Sequence, residues 1–341
     1  MTRRTLLPVL VAFALMFGVV ACGAGSNDAT GRATDALTPP PTTTAPPATT
    51  APANDSCDAT ASYPPLAPLP STAHTQTADA FMRDLVDRGK LVVAVDENTQ
   101  GLASRNPETG DLGGLEIELA KLIAQRIFGG ELGDHVQFKT VTTKEKIEFP
   151  KEGKVDLSIS AISMTCERWN DVAFSSEYFH ALHAFLVRGD STIREPGDVA
   201  GTRVCMTKGS TSVGILDGWN KSFRRANRPV AQPVLVDART DCLVDLQEGT
   251  VDAYLGHDTF LVGMVDQDPN LRIVKERHDQ HYGIAIGKDH TYFVQYVNGV
   301  LEELRENGAL RDLYGPVNRL FEHAHIEAKV VPAANPNRPL P

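Results

Sequence analysis

The 341-residue sequence contains no G-x-S-x-G, H-E-x-x-H, P-loop or G-x-G-x-x-G pattern. It therefore offers no nucleophile elbow, zincin helix, nucleotide cradle or dinucleotide turn. Basic residues are the scarcer charge, 33 against 43 acidic ones for a formal net charge of -10, and the balance falls to -12 without the leader arginines Arg3 and Arg4. That excess of acid disfavours nucleic acid or an anionic membrane surface as the main partner, so an anionic ligand needs a local cationic pocket. There are five cysteines, none in C-x-x-C spacing, which argues against a cysteine-based metal centre. No metal or cofactor is expected. Long apolar runs are missing too: the stretch from Leu6 to Val20 is too short for a comfortable membrane span.

That stretch, behind Arg3 and Arg4, reads as an export signal over residues 1–22. Its ending, Val19-Val20-Ala21-Cys22-Gly23, resembles the lipobox of bacterial lipoproteins, which implies a diacylated Cys22 anchored on the extracytoplasmic face of the cell membrane. A plain secretory signal is the alternative. Residues 23–76 include TPPPTTTAPPATTAPA and almost no large apolar residue before Tyr63. They bury nothing, so a disordered or polyproline-like tether is predicted.

From Thr77 the pattern changes. A helix over 80–88, an apolar strand at 91–95, a helix carrying Leu115, Leu119, Leu122, Ile123 and Ile127, a strand near 136–141, a helix near 144–151 and a strand from Val155 alternate as β and α. Such alternation predicts a parallel sheet covered by helices. From Val199 to about Ile286 the pattern repeats. Glu152-Gly153-Lys154-Val155-Asp156 and Glu248-Gly249-Thr250-Val251-Asp252 share E-G-x-V-D, each a helix stop followed by a buried strand, so two similar lobes are expected. An amphipathic helix over 293–306 closes the fold.

The stretch 153–178, GKVDLSISAISMTCERWNDVAFSSEY, suits ligand binding. Small residues at Ala161 and Ser163 let a ligand approach the backbone, and Arg168 offers a planar fork for a carboxylate. Together with 89–95, 114–120, Lys208-Gly209-Ser210-Thr211-Ser212 and Arg305-Glu306-Asn307-Gly308, this stretch resembles the family 3 extracellular solute-binding proteins over residues 89–314. These are the polar amino-acid class of ABC-importer binding proteins. Residues 100–107, QGLASRNP, look most like the glutamate-binding branch, and the leader and tether are similar to those of mycobacterial glutamine-binding lipoproteins.

The resemblance implies an α/β, two-lobed periplasmic-binding-protein-like (type II) fold. Lobe 1 would comprise 77–185 and 285–325, lobe 2 would comprise 186–284, and 326–341 would be a flexible tail. Two hinge-crossing strands, near 184–188 and 281–286, would close the lobes over one ligand. It also implies site roles. Arg168 and Ser163 would hold an α-carboxylate, with Thr211 adding a second grip at a helix start, where a helix cap is the alternative. The Ala161 carbonyl and Asp258 would hold the ammonium, in a register that leaves position 257 open. Arg105 and Lys146 would meet a side-chain carboxylate. Leu102 and Leu115 stand where the family often places aromatic residues.

After Cys22, four cysteines remain and permit three pairings. Similar proteins pair the equivalents of Cys205 and Cys242, which leaves Cys57 with Cys166. The expected function is capture of glutamate, aspartate, glutamine or asparagine by a monomer that presents it to an ABC permease. A sensor lipoprotein signalling to a membrane receptor is the alternative. A dehydratase of the same fold is a third reading, for which no catalytic residue is assigned.

Overall fold

The computed structural model describes residues 57–70 and 79–333, so the expected signal with Cys22 and most of the expected tether lie outside the described residues. Asp79 caps α1 (Ala80–Arg88) by accepting the Met82 N–H at 2.9 Å, and Gly89 ends it at φ 66°, in the left-handed region that glycine enters without a Cβ clash. Next come β1 (Leu91–Val95), a small antiparallel layer of β2 (Asn98–Thr99), β3 (Ala103–Arg105) and β4 (Leu112–Gly113), then α2 (Leu115–Phe128), β5 (Val136–Thr140), α3 (Glu145–Lys151), β6 (Leu157–Ser158) and β7 (Val172–Phe174). The chain continues through β8 (Phe179–Arg188), β9 (Arg203–Thr207), α4 (Ser212–Arg225), β10 (Gln232–Val236), α5 (Arg239–Glu248), β11 (Ala253–His257), α6 (Asp258–Gln267) and β12 (Leu271–Tyr282). It ends with β13 (Ala285–Gly287), α7 (Thr291–Glu306) and α8 (Ala309–His323), the last two separated by Gly308 at φ 82°.

Two five-stranded sheets result, ordered β5-β1-β6-β13-β7 and β10-β9-β11-β8-β12. Each has a parallel centre, β1 between β5 and β6 and β9 between β10 and β11, extended by antiparallel strands. This is the two-lobed α/β architecture expected. The shared E-G-x-V-D performs the same task in both halves. Gly153 and Gly249 turn the chain at φ 68° and 73°. The Asp156 carboxylate then accepts the Val92 N–H at 2.7 Å, and Asp252 accepts the Arg203 N–H at 2.8 Å, each fixing the start of the neighbouring parallel strand.

The passages between sheets differ in part from expectation. β8 pairs antiparallel with β12 from Phe179↔Tyr282 to Arg188↔Leu271, with a register shift between Lys275 and Asp279. Residues 184–188 lie inside the second sheet between β11 and β12, because a continuous apolar run buries both faces of a central strand. The first passage therefore falls earlier, between Phe174 and Phe179, and the return falls between Tyr282 and Ala285.

Two segments expected to be loose are docked. Residues 57–70 are tied by the Cys57–Cys166 disulfide, by Ser62 donating to the Phe174 carbonyl (2.8 Å), by the Trp169 indole donating to the Ala59 carbonyl (3.0 Å) and by Leu66 N–H to the Gln295 carbonyl (3.0 Å). Residues 326–333 have no helix or strand, yet Lys329 exchanges two hydrogen bonds with the Asn318 side chain and its ammonium lies 2.6 Å from Asp258. A few apolar anchors, Leu66 and Leu69 in one segment and Ile326 and Val331 in the other, pack on the first core. Composition averaged over a tether does not register so few residues.

Candidate functional site

Ligands in open α/β sheets sit beyond the carboxyl ends of parallel strands, and here the chain ends of β6, β9 and β11 face a common pocket. Its lining includes Lys146, Ala161, Ser163 and Arg168 from the first lobe, and Thr207, Ser210, Thr211, Arg239 and His257 from the second, with Tyr254 and Phe260 as an aromatic wall.

Ala161 holds φ 47°, a conformation costly for a residue with a Cβ. It is fixed by donating its N–H to the buried Glu116 carboxylate at 2.7 Å, which also accepts from the Tyr178 hydroxyl. Burial raises the Glu116 pKa against both of these hydrogen bonds. The Ala161 carbonyl, expected to meet a ligand ammonium, accepts instead from the Lys146 ammonium at 3.4 Å, as does the Ser160 carbonyl at 3.3 Å. Lys146 is 4% exposed, and burial followed by the charges of Arg239 and Arg168 pulls its pKa well below the usual lysine value.

Arg168 spans the two lobes. Its guanidinium donates to the Ser163 carbonyl at 2.8 Å and to the Gly209 carbonyl at 3.1 Å, and loss of solvent lowers its pKa to about 10, which leaves it cationic at neutral pH. The Ser163 hydroxyl donates to Gln280 Oε1 at 2.6 Å. Thr211 donates to the same oxygen at 2.9 Å and lies 3.2 Å from His257 Nε2. Its hydroxyl makes no capping bond to α4, so it faces the cleft and does not close the helix end.

His257 ends β11 and points inward; its Nδ1 is 2.6 Å from the Tyr282 hydroxyl. Burial, then the neighbouring His183, Lys146, Arg239 and Arg168, hold it well below the usual histidine pKa, so it is neutral at pH 7. Asp258 is a correction. As the first residue of α6 it turns to the opposite face, where its carboxylate accepts the Leu182 N–H at 3.0 Å and pairs with Lys329. His257 is the last extended residue and Asp258 the first helical one, so a single residue of register decides which of the two side chains enters the pocket. Arg105 is also a correction: it lies on the exposed β3 hairpin, 47% solvent-accessible, bound to Glu97 and to the Gly110 carbonyl, and does not line the pocket.

Two residues were not singled out by the sequence reading. Arg239, 4% exposed, opens α5 with its guanidinium over the Phe260 ring at 4.3 Å and 3.1 Å from Asp96, a carboxylate 5% exposed that follows β1 directly. Burial opposes the Arg239 charge, and Asp96, then Tyr254, Tyr282 and Glu116, together more than restore it. The available signals were an acid at the carboxyl end of an apolar strand and a cation at a helix start. Among the described residues, Ser210 Oγ and the Tyr254 hydroxyl, both in the pocket wall, are buried without a hydrogen-bond partner. Leu102 and Leu115 belong to the first core.

The second sheet is braced from behind by the Cys205–Cys242 disulfide, which joins β9 to α5. Among the described residues, no helix is long and apolar enough to cross a membrane.

The chain is 30% identical over 230 residues to the ABC transporter glutamine-binding protein GlnH of Bacillus subtilis, covering 67% of this chain and 81% of that protein. It is 25% identical over 239 residues to the glutamate-binding protein GluB of Corynebacterium efficiens, covering 66% and 78%. Among solved structures it is similar to an ancestral arginine-binding protein bound to glutamine, with a TM-score of 0.59, 28% identity and coverage of 67% of this chain and 96% of that one. Residues 91–316 match the model of the bacterial extracellular solute-binding proteins, family 3, and the chain belongs to that family.

Proposed function

We propose that the protein captures an acidic amino acid, glutamate or aspartate, in the pocket between its lobes and delivers it to an ABC importer, from a lipid anchor at Cys22. The charge of the pocket carries the reading. Arg168 and Arg239 are cations, and Lys146, whose charge burial opposes, would regain it beside a ligand carboxylate. Against them stand buried Asp96 and Glu116, and the Glu116 carboxyl, its pKa raised by burial, is already committed to Ala161 and Tyr178. The surplus positive charge complements a ligand with two carboxylates and one ammonium better than an amide or arginine. The unpaired Ser210 and Tyr254 hydroxyls call for a polar occupant.

In this reading Arg168, Ser163 and Thr211 take the α-carboxylate, Lys146 and Arg239 face the side-chain carboxylate, and Asp96 replaces Asp258 as the acid for the ammonium. Lys146 would have to leave the Ala161 carbonyl as that ammonium arrives. Arg168 already ties the Ser163 carbonyl of one lobe to the Gly209 carbonyl of the other, so entry requires the lobes to part about the passages at 174–179 and 282–285. No group in the pocket is assigned a catalytic role.

The test is calorimetric titration of the full chain with L-glutamate, L-aspartate, L-glutamine, L-asparagine and L-arginine. Tighter binding of the two acids supports the reading. Preference for arginine, or for the amides over the acids, would overturn the charge argument.

A further inference from the structure

Away from the pocket, the described residues bring two imidazoles and two carboxylates together where β8 begins and β12 ends, beside the two passages between the lobes. His180 of β8 and His281 of β12 are direct cross-strand partners, with ring centroids 4.8 Å apart. Glu177, just before β8, places Oε1 at 2.9 Å from His281 Nδ1. Asp279, two residues before His281 and therefore on the same face of β12, places Oδ1 at 2.8 Å from His180 Nε2. One ligand atom from each of Glu177, His180 and His281 lies within 4.8 Å of the others.

A tetrahedral ion with bonds of about 2.1 Å holds its donors about 3.4 Å apart, so modest side-chain rotations close this set onto one metal. Two imidazoles with carboxylate oxygens suit zinc and its neighbours rather than calcium or magnesium. The side chains of His180, His281 and Glu177 are 39%, 33% and 17% exposed, although His281 Nδ1 and Glu177 Oε1 face each other out of solvent, so an ion enters from the His180 side as these two side chains rotate. Arg305 donates to the Glu177 carbonyl at 2.5 Å and offsets part of the acidic charge. The simpler use of these groups is a pair of cross-strand histidine–acid contacts. What favours a metal is their convergence, since each carboxylate already sits against a ring nitrogen, where it can serve as ligand or orient the imidazole.

We propose that Glu177, His180 and His281, with Asp279 beside them, form a site for a zinc-type divalent transition ion that clips β8 to β12. This departs from the expectation of no metal, because ligands from strands a hundred residues apart leave no spacing motif. An ion there would brace the paired ends of β8 and β12, next to the passages that join the lobes.

The full chain, stripped of metal, is titrated with Zn²⁺ by calorimetry and with Co²⁺ by visible absorption, alongside His180→Gln and His281→Gln. Expected are one equivalent of Zn²⁺, intense four-coordinate Co²⁺ bands displaced by Zn²⁺, and binding at least tenfold weaker in each variant. Metal-free melting and amino-acid titration of the variants establish that they are folded. His180→Gln, at an exposed position, preserves the test if His281→Gln misfolds. Absence of stoichiometric binding overturns the proposal. So does binding that neither substitution weakens, or that an amino acid displaces competitively, since the ion would then lie elsewhere or at His183 and His257. The amino-acid titration is run without metal, so its outcome is independent.

Discussion

Replacing Asp258 separates two accounts of the ammonium site. If Asp258 held the ligand, Asp258→Asn would abolish binding; its position on the far face of α6 predicts a stability defect instead. The carboxylate is 3% exposed, its partner Lys329 is 11% exposed, and they are 2.6 Å apart. Removing one member of a buried pair costs about 3–5 kcal/mol when the other charge is trapped. Here Lys329 lies on a terminal segment that can swing into water, and asparagine retains an oxygen for the Leu182 N–H, 3.0 Å away. What remains is one charge-assisted hydrogen bond, about 1.5–3 kcal/mol, or a fall in Tm of about 3–12 °C for a domain of this size. Differential scanning calorimetry measures it, and titration with L-glutamate should give an affinity within about threefold of wild type. Asp96→Asn should weaken binding more than about tenfold, about 1.4 kcal/mol. Binding lost in Asp258→Asn at an unchanged Tm, with Asp96→Asn unaffected, would refute the assignment.

Arg168→Lys keeps the charge but loses the fork, and should weaken glutamate binding about 10–100-fold by calorimetry; unchanged affinity would remove Arg168 from the carboxylate site. His183, fully buried, is held down to about 3 by burial and by His278. Its contribution to stability is present above the unfolded value of about 6.5 and is lost as pH falls from there, at up to about 1.4 kcal/mol per pH unit. His183→Gln should therefore flatten the decline in urea midpoint between pH 7 and pH 5, and an unaltered decline would contradict this. Cys205 and Cys242, 37 residues apart, close a loop whose chain entropy corresponds to about 4 kcal/mol. The double alanine variant should show an unfolding free energy lower by that order, read from a lower urea midpoint, and an unchanged midpoint would mean that the bond adds nothing beyond packing.

Contiguous features were legible in the sequence. The E-G-x-V-D pair identified two equivalent strand junctions, and Ala161, Ser163 and Arg168 fall within one short stretch that the fold keeps together. Lys146 and Thr211 also reach the pocket. Residues brought together only by topology were not legible: Asp96 follows β1 and Arg239 opens α5, 143 positions later, and nothing local marks them as a pair. The error at Asp258 arose where β11 becomes α6, because a single residue of register exchanges the inward and outward faces. The hinge was placed too far along the chain for a related reason, since the apolar run at 184–187 marks a strand buried on both faces, which is what sheet interiors require.

Amide hydrogen exchange of the full chain, with and without saturating L-glutamate, tests the central claim most directly. A ligand bridging the lobes should slow exchange both in residues 161–168 and in residues 207–212, which belong to different lobes and line the same pocket. Binding that protects neither segment, or that confines protection to the outer hairpin carrying Arg105, would contradict the account.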